Sequence, residues 1–265
     1  MEKEKYIKAA NILFKCRINK KKLDKLPIDC IPKNIEDAYK IQDELKIFYL
    51  NLKNNYTIGK KVGCTNKRAQ KQVNVDKPFY GNLFSKYYGL SGCLLESKKF
   101  SKPYMEPEFS FRIKEDINIA KAPYKFEEII NLVDTVMASV EIVDFRFNNK
   151  LKDIGINNLI STNGGSEYWI KGNKEFQLNE IDLFNHQVKV FINDKIIEKG
   201  NSSNVLKNPL NSLLWLVNKL ASKGETILKD NFVSTGTCTM AIPLNKNNKI
   251  KADFGNMGII NFDFI

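Results

Sequence analysis

The sequence predicts an α+β fold, with a helical part over residues 1–56 and a strand-rich domain over residues 57–265. Three observations point there. Two amphipathic helical stripes open the chain. From Tyr56 onward, short runs with strand character and turn residues replace them. No internal repeat and no low-complexity linker divides the sequence.

The first helix covers residues 4–16, with Tyr6, Ala9, Ala10, Leu13 and Phe14 on one stripe. Residues 18–33 are lysine-rich, contain Pro27 and Pro32, and read as a connector. Asn34 as N-cap with Asp37 at N3 starts a second helix, whose stripe is Ala38, Ile41, Leu45, Phe48 and Leu52. Asn54 and Asn55 close it. Thr57 to Thr65 reads as a strand and Lys67 to Gln72 as a short helix or turn. Residues 74–105, with Pro78, Gly81, Gly89 and Gly92, look loop-rich. A strand then runs through Pro103–Phe111. Residues 125–138 fit an amphipathic helix on Phe126, Ile129, Ile130, Val133, Val136 and Met137, and Ser139–Phe147 follows as a strand. Residues 187–198 form a hairpin turning at Asn193-Asp194. Asn208 and Pro209 begin a further helix, carried by Leu210, Leu213, Leu214, Val217 and Leu220 and closed by Gly224. Strands finish the chain at Phe232–Thr235, Ile250–Phe254 and Ile259–Phe264.

A chain of 265 residues with 43% hydrophobic and 27% charged content can bury a sizeable core. Its net charge of +12 invites a nucleic-acid partner. The arginines are only Arg17, Arg68, Arg112 and Arg146, however, and the lysines are scattered apart from Lys20-Lys21-Lys22. Arginine is the side chain that suits phosphate and base edges, so no nucleic-acid binding is expected. The five cysteines are widely spaced without a Cys-x-x-Cys pair, which suits a reducing, cytoplasmic setting. The apolar run Ala9–Phe14 is too short for a secretion signal, and no membrane span is expected.

The candidate chemistry starts at Glu106 and Glu108. In a strand, residues two apart share a face, so the two carboxylates stand side by side with Phe109 and Phe111 opposite. Like charges so placed need a shared proton, a basic side chain or a hard cation. On that segment alone a solvated strand edge is the simpler reading. Glu141, set among Val140, Ile142 and Val143, supplies a third carboxylate without a local cation, while Asp144 and Arg146 on the other face suit an ion pair. Three such carboxylates suit Mg²⁺ or Mn²⁺. Spacing alone equally allows three unrelated surface glutamates. In Ile58–Thr65, Lys61 shares its face with Gly59 and Gly63, which leave room for a ligand; Lys60 is expected to lie over apolar surface with its head in water. His186, the one histidine, has no spaced nucleophile or acid and reads as structural. Cys64 and Cys238 read as small buried residues near this region.

The ordered series Gly59-Lys60-Lys61-Val62-Gly63-Cys64-Thr65, Val75–Gly81, Glu106-Pro107-Glu108, Glu141–Arg146, Asn163, Asn208–Asn211 and Thr235-Gly236 with Thr239 resembles the 2-keto-4-pentenoate hydratase and 4-oxalocrotonate decarboxylase family, within the fumarylacetoacetate hydrolase superfamily. The resemblance implies a mixed β-roll with an N-terminal helical part. It also implies a lyase acting on a 2-oxo-alkenoic or 2-hydroxydienoic acid, with Glu106, Glu108 and Glu141 as metal ligands and Lys61 as the active-site lysine. Gly63, Thr65, Phe79, Asn163 and Thr239 are the implied substrate-side residues. Homo-oligomers, sometimes beside another pathway enzyme, are implied as well. Hydratases of the family carry an acid where this chain has Phe79, and the decarboxylase pattern fits better. Both reactions stay open, as does a degenerate member that binds a 2-oxo acid or serves as a scaffold.

Overall fold

A computed structural model describes all residues, 1–265. The helices α1 (Lys3–Ile18) and α2 (Ile35–Leu50) pack against each other. Asn34 caps α2 by accepting from the Asp37 N–H at 2.8 Å. Phe14 stacks on Phe48 across the pair at 5.5 Å between ring centroids. After them come β1 (Thr57–Gly63), α3 (Lys67–Val73), β2 (Phe79–Phe84), β3 (Tyr88–Leu90), β4 (Leu94–Leu95) and β5 (Tyr104–Ile113). The middle of the chain holds α4 (Phe126–Ile129), β6 (Val133–Val143), α5 (Ile156–Ser161), β7 (Ser166–Lys171), β8 (Gln187–Ile192) and β9 (Lys195–Asn201). It ends with α6 (Pro209–Ala221), β10 (Phe232–Thr237), β11 (Ile242–Pro243), β12 (Asn248–Asp253) and β13 (Ile259–Phe264).

The strands form two sheets. The larger runs β2-β1-β10-β5-β6-β7-β3, with β11 added beside β5; the smaller runs β4-β13-β12-β8-β9. Pairings β1–β10, β3–β7 and β4–β13 are parallel and the rest antiparallel, so the large sheet is mixed. The helical part joins the same buried core: the Gln42 side chain on α2 donates to the carbonyls of Tyr80 and Ile160 at 2.9 and 2.8 Å. Tyr39 stacks on Tyr80 at 4.5 Å, so α2 holds β2 in place. No helix is long and apolar enough to cross a membrane.

Three expectations are corrected. The helix expected over 125–138 is a single turn, α4, and a 3₁₀ turn, after which β6 begins at Val133. Every β6 residue from Val136 to Val143 is buried, so the strand needs apolar side chains on both faces and its pattern mimics a helix. The segment 74–105 contains β2, β3 and β4, and β2 is buried along its whole length. The strand expected over 139–147 stops at Val143. There Asp144 turns away, accepting from the Ser101 and Lys102 N–H groups at 2.6 and 3.0 Å.

Candidate metal centre

Strands β5 and β6 lie antiparallel with Glu106 directly opposite Glu141 and Glu108 opposite Ser139. The alternation of side chains then brings the three carboxylates to one face, where one oxygen of each lies within 4.8 Å of the others. Glu108 and Glu141 are fully buried and Glu106 is partly so. Glu108 Oε2 accepts from the Ser234 hydroxyl at 2.5 Å and from the Gly236 N–H at 3.1 Å. Its Oε1 has no donor, and neither oxygen of Glu141 has one. Buried anionic oxygens without partners carry the full desolvation cost. Burial first, then the fields of its neighbours, pushes Glu106 up to about 7 and Glu108 well above the carboxylate range. An all-oxygen donor set with orphaned, inward-facing atoms fits a hard divalent cation.

The one cation among them is Lys61, on β1. Its register partner on β10 is Ser234, whose small side chain lets the lysine pass over that strand. Lys61 Nζ lies 3.2 Å from Glu141 Oε2, an ion-pair distance without hydrogen-bond alignment, and donates to the Gly164 carbonyl at 3.3 Å. Glu141 therefore has the cation that strand-local reading denied it. Burial opposes the charge on Lys61, and Glu141, Glu106 and Glu108 together outweigh burial, so its ammonium is held above the ordinary range. A Cβ at Gly164, where φ is +65°, would come within 2.6 Å of Lys61 Nζ and 2.7 Å of the Phe79 ring. Only glycine lets backbone, lysine and phenylalanine meet there. Lys60 departs from expectation: its head is not in water but donates to Asn82 Oδ1 at 3.0 Å and pairs with Glu225 at 3.2 Å.

Lys61 and Glu106 line a pocket whose other walls are mostly apolar. Phe79 and Val143 come from the sheet, Phe145 and Leu151 from the segment after β6, Leu159 from α5, and Ala69 and Val73 from α3. Gln72, also on α3, clasps Ala241 through two hydrogen bonds of 3.2 and 3.1 Å. The accessible space is about 30 Å³, room for water-sized bodies.

Of the expected substrate-side residues, Gly63 and Phe79 line this pocket; Thr65, Asn163 and Thr239 do not. Thr65 donates to the Thr235 carbonyl at 3.0 Å. Asn163 braces Asn82, accepting from its N–H at 2.7 Å and donating to its carbonyl at 2.9 Å. Thr239 donates its N–H to Thr237 Oγ1 at 3.1 Å, and it is Thr237 that reaches the pocket. Of these three, only Thr239 hydrogen-bonds to a residue that lines the pocket, Thr237; Thr235 and Asn82, the partners of Thr65 and Asn163, do not line it. No motif in the sequence marks Ser234, Gln72 or the rest of the α3 wall. Cys64 also lines the pocket, and burial then Glu106 push its thiol up to about 12, which keeps it neutral. Cys238 is buried, with its thiol raised by burial and Glu108. His186 Nε2 lies 2.6 Å from the Phe254 carbonyl, a structural contact away from the carboxylates.

No family model matches the chain. A 4-oxalocrotonate decarboxylase of Pseudomonas putida is 26% identical over 270 residues, covering 100% of this chain and 98% of that protein. The Pseudomonas putida G7 4-oxalocrotonate decarboxylase, solved with magnesium and adipate, superposes with a TM-score of 0.92 at 27% identity over 100% of this chain and 99% of that one. This chain is a homologue of the 4-oxalocrotonate decarboxylases and 2-keto-4-pentenoate hydratases. Hydratases of this group are similarly distant: the Escherichia coli 2-oxo-hept-4-ene-1,7-dioate hydratase is 28% identical over 236 residues, 87% of each chain. Fumarylpyruvate hydrolase from Pseudomonas aeruginosa matches with a TM-score of 0.60 at 9% identity, over 78% of this chain and 88% of that one, which shows the shared fumarylacetoacetate hydrolase fold alone.

Proposed function

We propose that this protein is a divalent-metal-dependent lyase for a 2-oxo-alkenoic or 2-hydroxydienoic acid, with decarboxylation as its reaction. The observation that carries the reading is the convergence of Glu106, Glu108 and Glu141 beside Lys61, with buried oxygens of Glu108 and Glu141 lacking hydrogen-bond donors and with Glu106 and Lys61 opening onto a mostly apolar pocket. The three glutamates would hold Mg²⁺ or Mn²⁺, which supplies Lewis-acid stabilisation to charge developing on the 2-oxo oxygen.

The chain's own residues do the rest. Lys61 is a fixed ammonium at the pocket wall, placed to bind a substrate oxygen or deliver a proton at Nζ. Phe79, whose ring centroid lies 5.3 Å from Lys61 Nζ, presents an apolar face beside the ammonium and has no proton to transfer. Beyond Lys61, Glu106 and the neutral Cys64 thiol, the pocket offers no titratable side chain. Adding water across a double bond calls for a positioned base and acid on the far carbons, and none is there. Losing CO₂ calls for less: a leaving carboxylate held against the apolar walls of Val143, Phe145, Leu151 and Leu159 would be solvated less well as an anion than as the neutral product. A Mg²⁺ site, a 2-oxo acid substrate and a cytoplasmic setting complete the reading; Mn²⁺ in place of Mg²⁺ and assembly into homo-oligomers, alone or with another pathway enzyme, belong to it as well.

Calorimetry on chelator-treated protein tests the site. Mg²⁺ should bind once per chain, and oxalate, which mimics the 2-oxo acid head, should bind only when Mg²⁺ is present. Oxalate binding of equal affinity in chelator, or no Mg²⁺ heat, would remove the basis for the assignment and favour a scaffold.

A further inference from the structure

A second cavity, of about 320 Å³, opens where the C-terminal end of α1 meets the turns on either side of β3 and β4 and the start of β7. Its charge is one-sided. Arg17, Lys20, Lys86 and Lys99 line it, against one carboxylate, Glu167. That carboxylate is already shared: Arg17 Nε lies 3.1 Å from Glu167 Oε1, and Arg146 pairs with Oε2. Lys99 is paired with Glu96. Lys20 and Lys86 have no carboxylate within 4.0 Å.

Arg17 is the built part. Its side chain is only 4% exposed, so it is no freely solvated surface cation. It donates to the Glu167 carbonyl at 2.6 Å, and its guanidinium lies 3.8 Å from the Tyr87 ring centroid, which fixes the plane of the fork. Nε is buried without an aligned acceptor despite its closeness to Glu167. Arg17 is thus a fixed, stacked cation whose Nε already faces Glu167, so the charge left for a further anion comes chiefly from Lys20 and Lys86 beside it. Ile18, Tyr87, Phe100 and Tyr168 form the other walls, so the space between the charges is largely apolar and mostly aromatic.

We propose that this cavity binds a small carboxylate carried on a flat apolar body, such as an aryl carboxylate, with Arg17, Lys20 and Lys86 meeting the anion and Phe100 and Tyr168 the ring. Phosphate would satisfy the charges but leave those walls without a partner. The inference does not depend on the lyase reading, because none of these side chains lines the pocket of Lys61 and Glu106.

The test is calorimetry with benzoate on the intact protein in chelator, which removes metal-mediated binding at the other site. Inorganic phosphate and benzyl alcohol are the comparison probes. The variant is the double charge reversal Lys20→Glu with Lys86→Glu, whose folding is checked by its melting temperature. Saturable one-to-one benzoate binding is expected, weakened at least about tenfold by the double reversal and also by added salt. Phosphate should bind more weakly and benzyl alcohol not measurably. Benzoate affinity unchanged in the double variant, phosphate binding tighter than benzoate, or no benzoate binding at all would each overturn the proposal.

Discussion

Replacing Glu108 by glutamine separates the two things the glutamate cluster does: it weakens the metal-free fold and creates the cation site. The substitution keeps shape. Glutamine Oε1 can still accept from Ser234 Oγ and the Gly236 N–H, the bonds seen at 2.5 and 3.1 Å. The amide then takes the place of Oε1, which has no donor, and faces carboxylates that accept. Two like-charge contacts disappear. At the 4.8 Å limit of separation and an effective dielectric of 20, each ionised pair costs about 3.5 kcal/mol. Partial protonation of the raised carboxylates and the lost attraction to Lys61 reduce the net gain, leaving about 2–4 kcal/mol near pH 8. In a chain of this size that is a rise of roughly 5–15 °C in Tm in chelator. Mg²⁺ should do the opposite in the two proteins: a clear upward shift of Tm in wild type through linkage, and none in Glu108→Gln. Calorimetric melting with Mg²⁺ and with chelator reads both. A lowered Tm in chelator, or a Mg²⁺ shift that survives the substitution, would refute the reasoning.

Three further outcomes follow from the same geometry. Lys61→Met removes the cation 3.2 Å from Glu141, so the chelated protein should lose stability, Mg²⁺ should restore much of it, and kcat should fall about 10²–10⁴-fold; near-wild-type kcat would exclude Lys61 from the reaction. The pH dependence of the metal-free protein is set by the raised carboxyls: Glu106, pushed up to about 7 from an ordinary 4.5, and Glu108, raised in the same direction. The folded state then binds more protons than the unfolded one between those values, so stability is fullest at the acid end and is lost as pH rises through about 7. Melting in chelator from about pH 5.5 to 8 should decline and Mg²⁺ should flatten it, while a flat or rising chelator profile would contradict the assignment of buried, mutually repelling carboxylates. Gln72→Ala deletes both clasps between α3 and Ala241, so alkylation of Cys64, followed by peptide mass, should quicken about tenfold; an unchanged rate would mean α3 is held by its packing alone.

Strand parity made the glutamates and Lys61 legible. A period of two places Glu106 with Glu108, and the same rule separates Lys61 from Lys60 whatever the strands pair with. What parity cannot supply is the partner strand. The direct opposition of Glu106 and Glu141, and the reach of Lys61 over Ser234, depend on the order β1-β10-β5-β6, which joins distant parts of the chain. The same gap explains Lys60, whose Asn82 and Glu225 partners come from β2 and from the loop after α6. Residues 125–138 carry a helical pattern because β6 is covered on both faces, which removes the alternation that marks a strand. Thr65, Asn163 and Thr239 sit inside motifs that surround the site, yet motif position does not distinguish a lining side chain from one that braces a neighbour. The α3 wall left no trace beyond a short helical stretch, because its place over the pocket is purely a matter of tertiary packing.

The most direct measurement is the release of CO₂ from 4-oxalocrotonate, followed in Mg²⁺ and in chelator, with 2-hydroxypentadienoate as the parallel substrate for water addition. The account predicts Mg²⁺-dependent CO₂ release, abolished by chelator and by Glu108→Gln, with slow or absent hydration. Hydration outrunning CO₂ release would contradict the part given to Phe79. Turnover of neither substrate with Mg²⁺ present would contradict the lyase assignment itself.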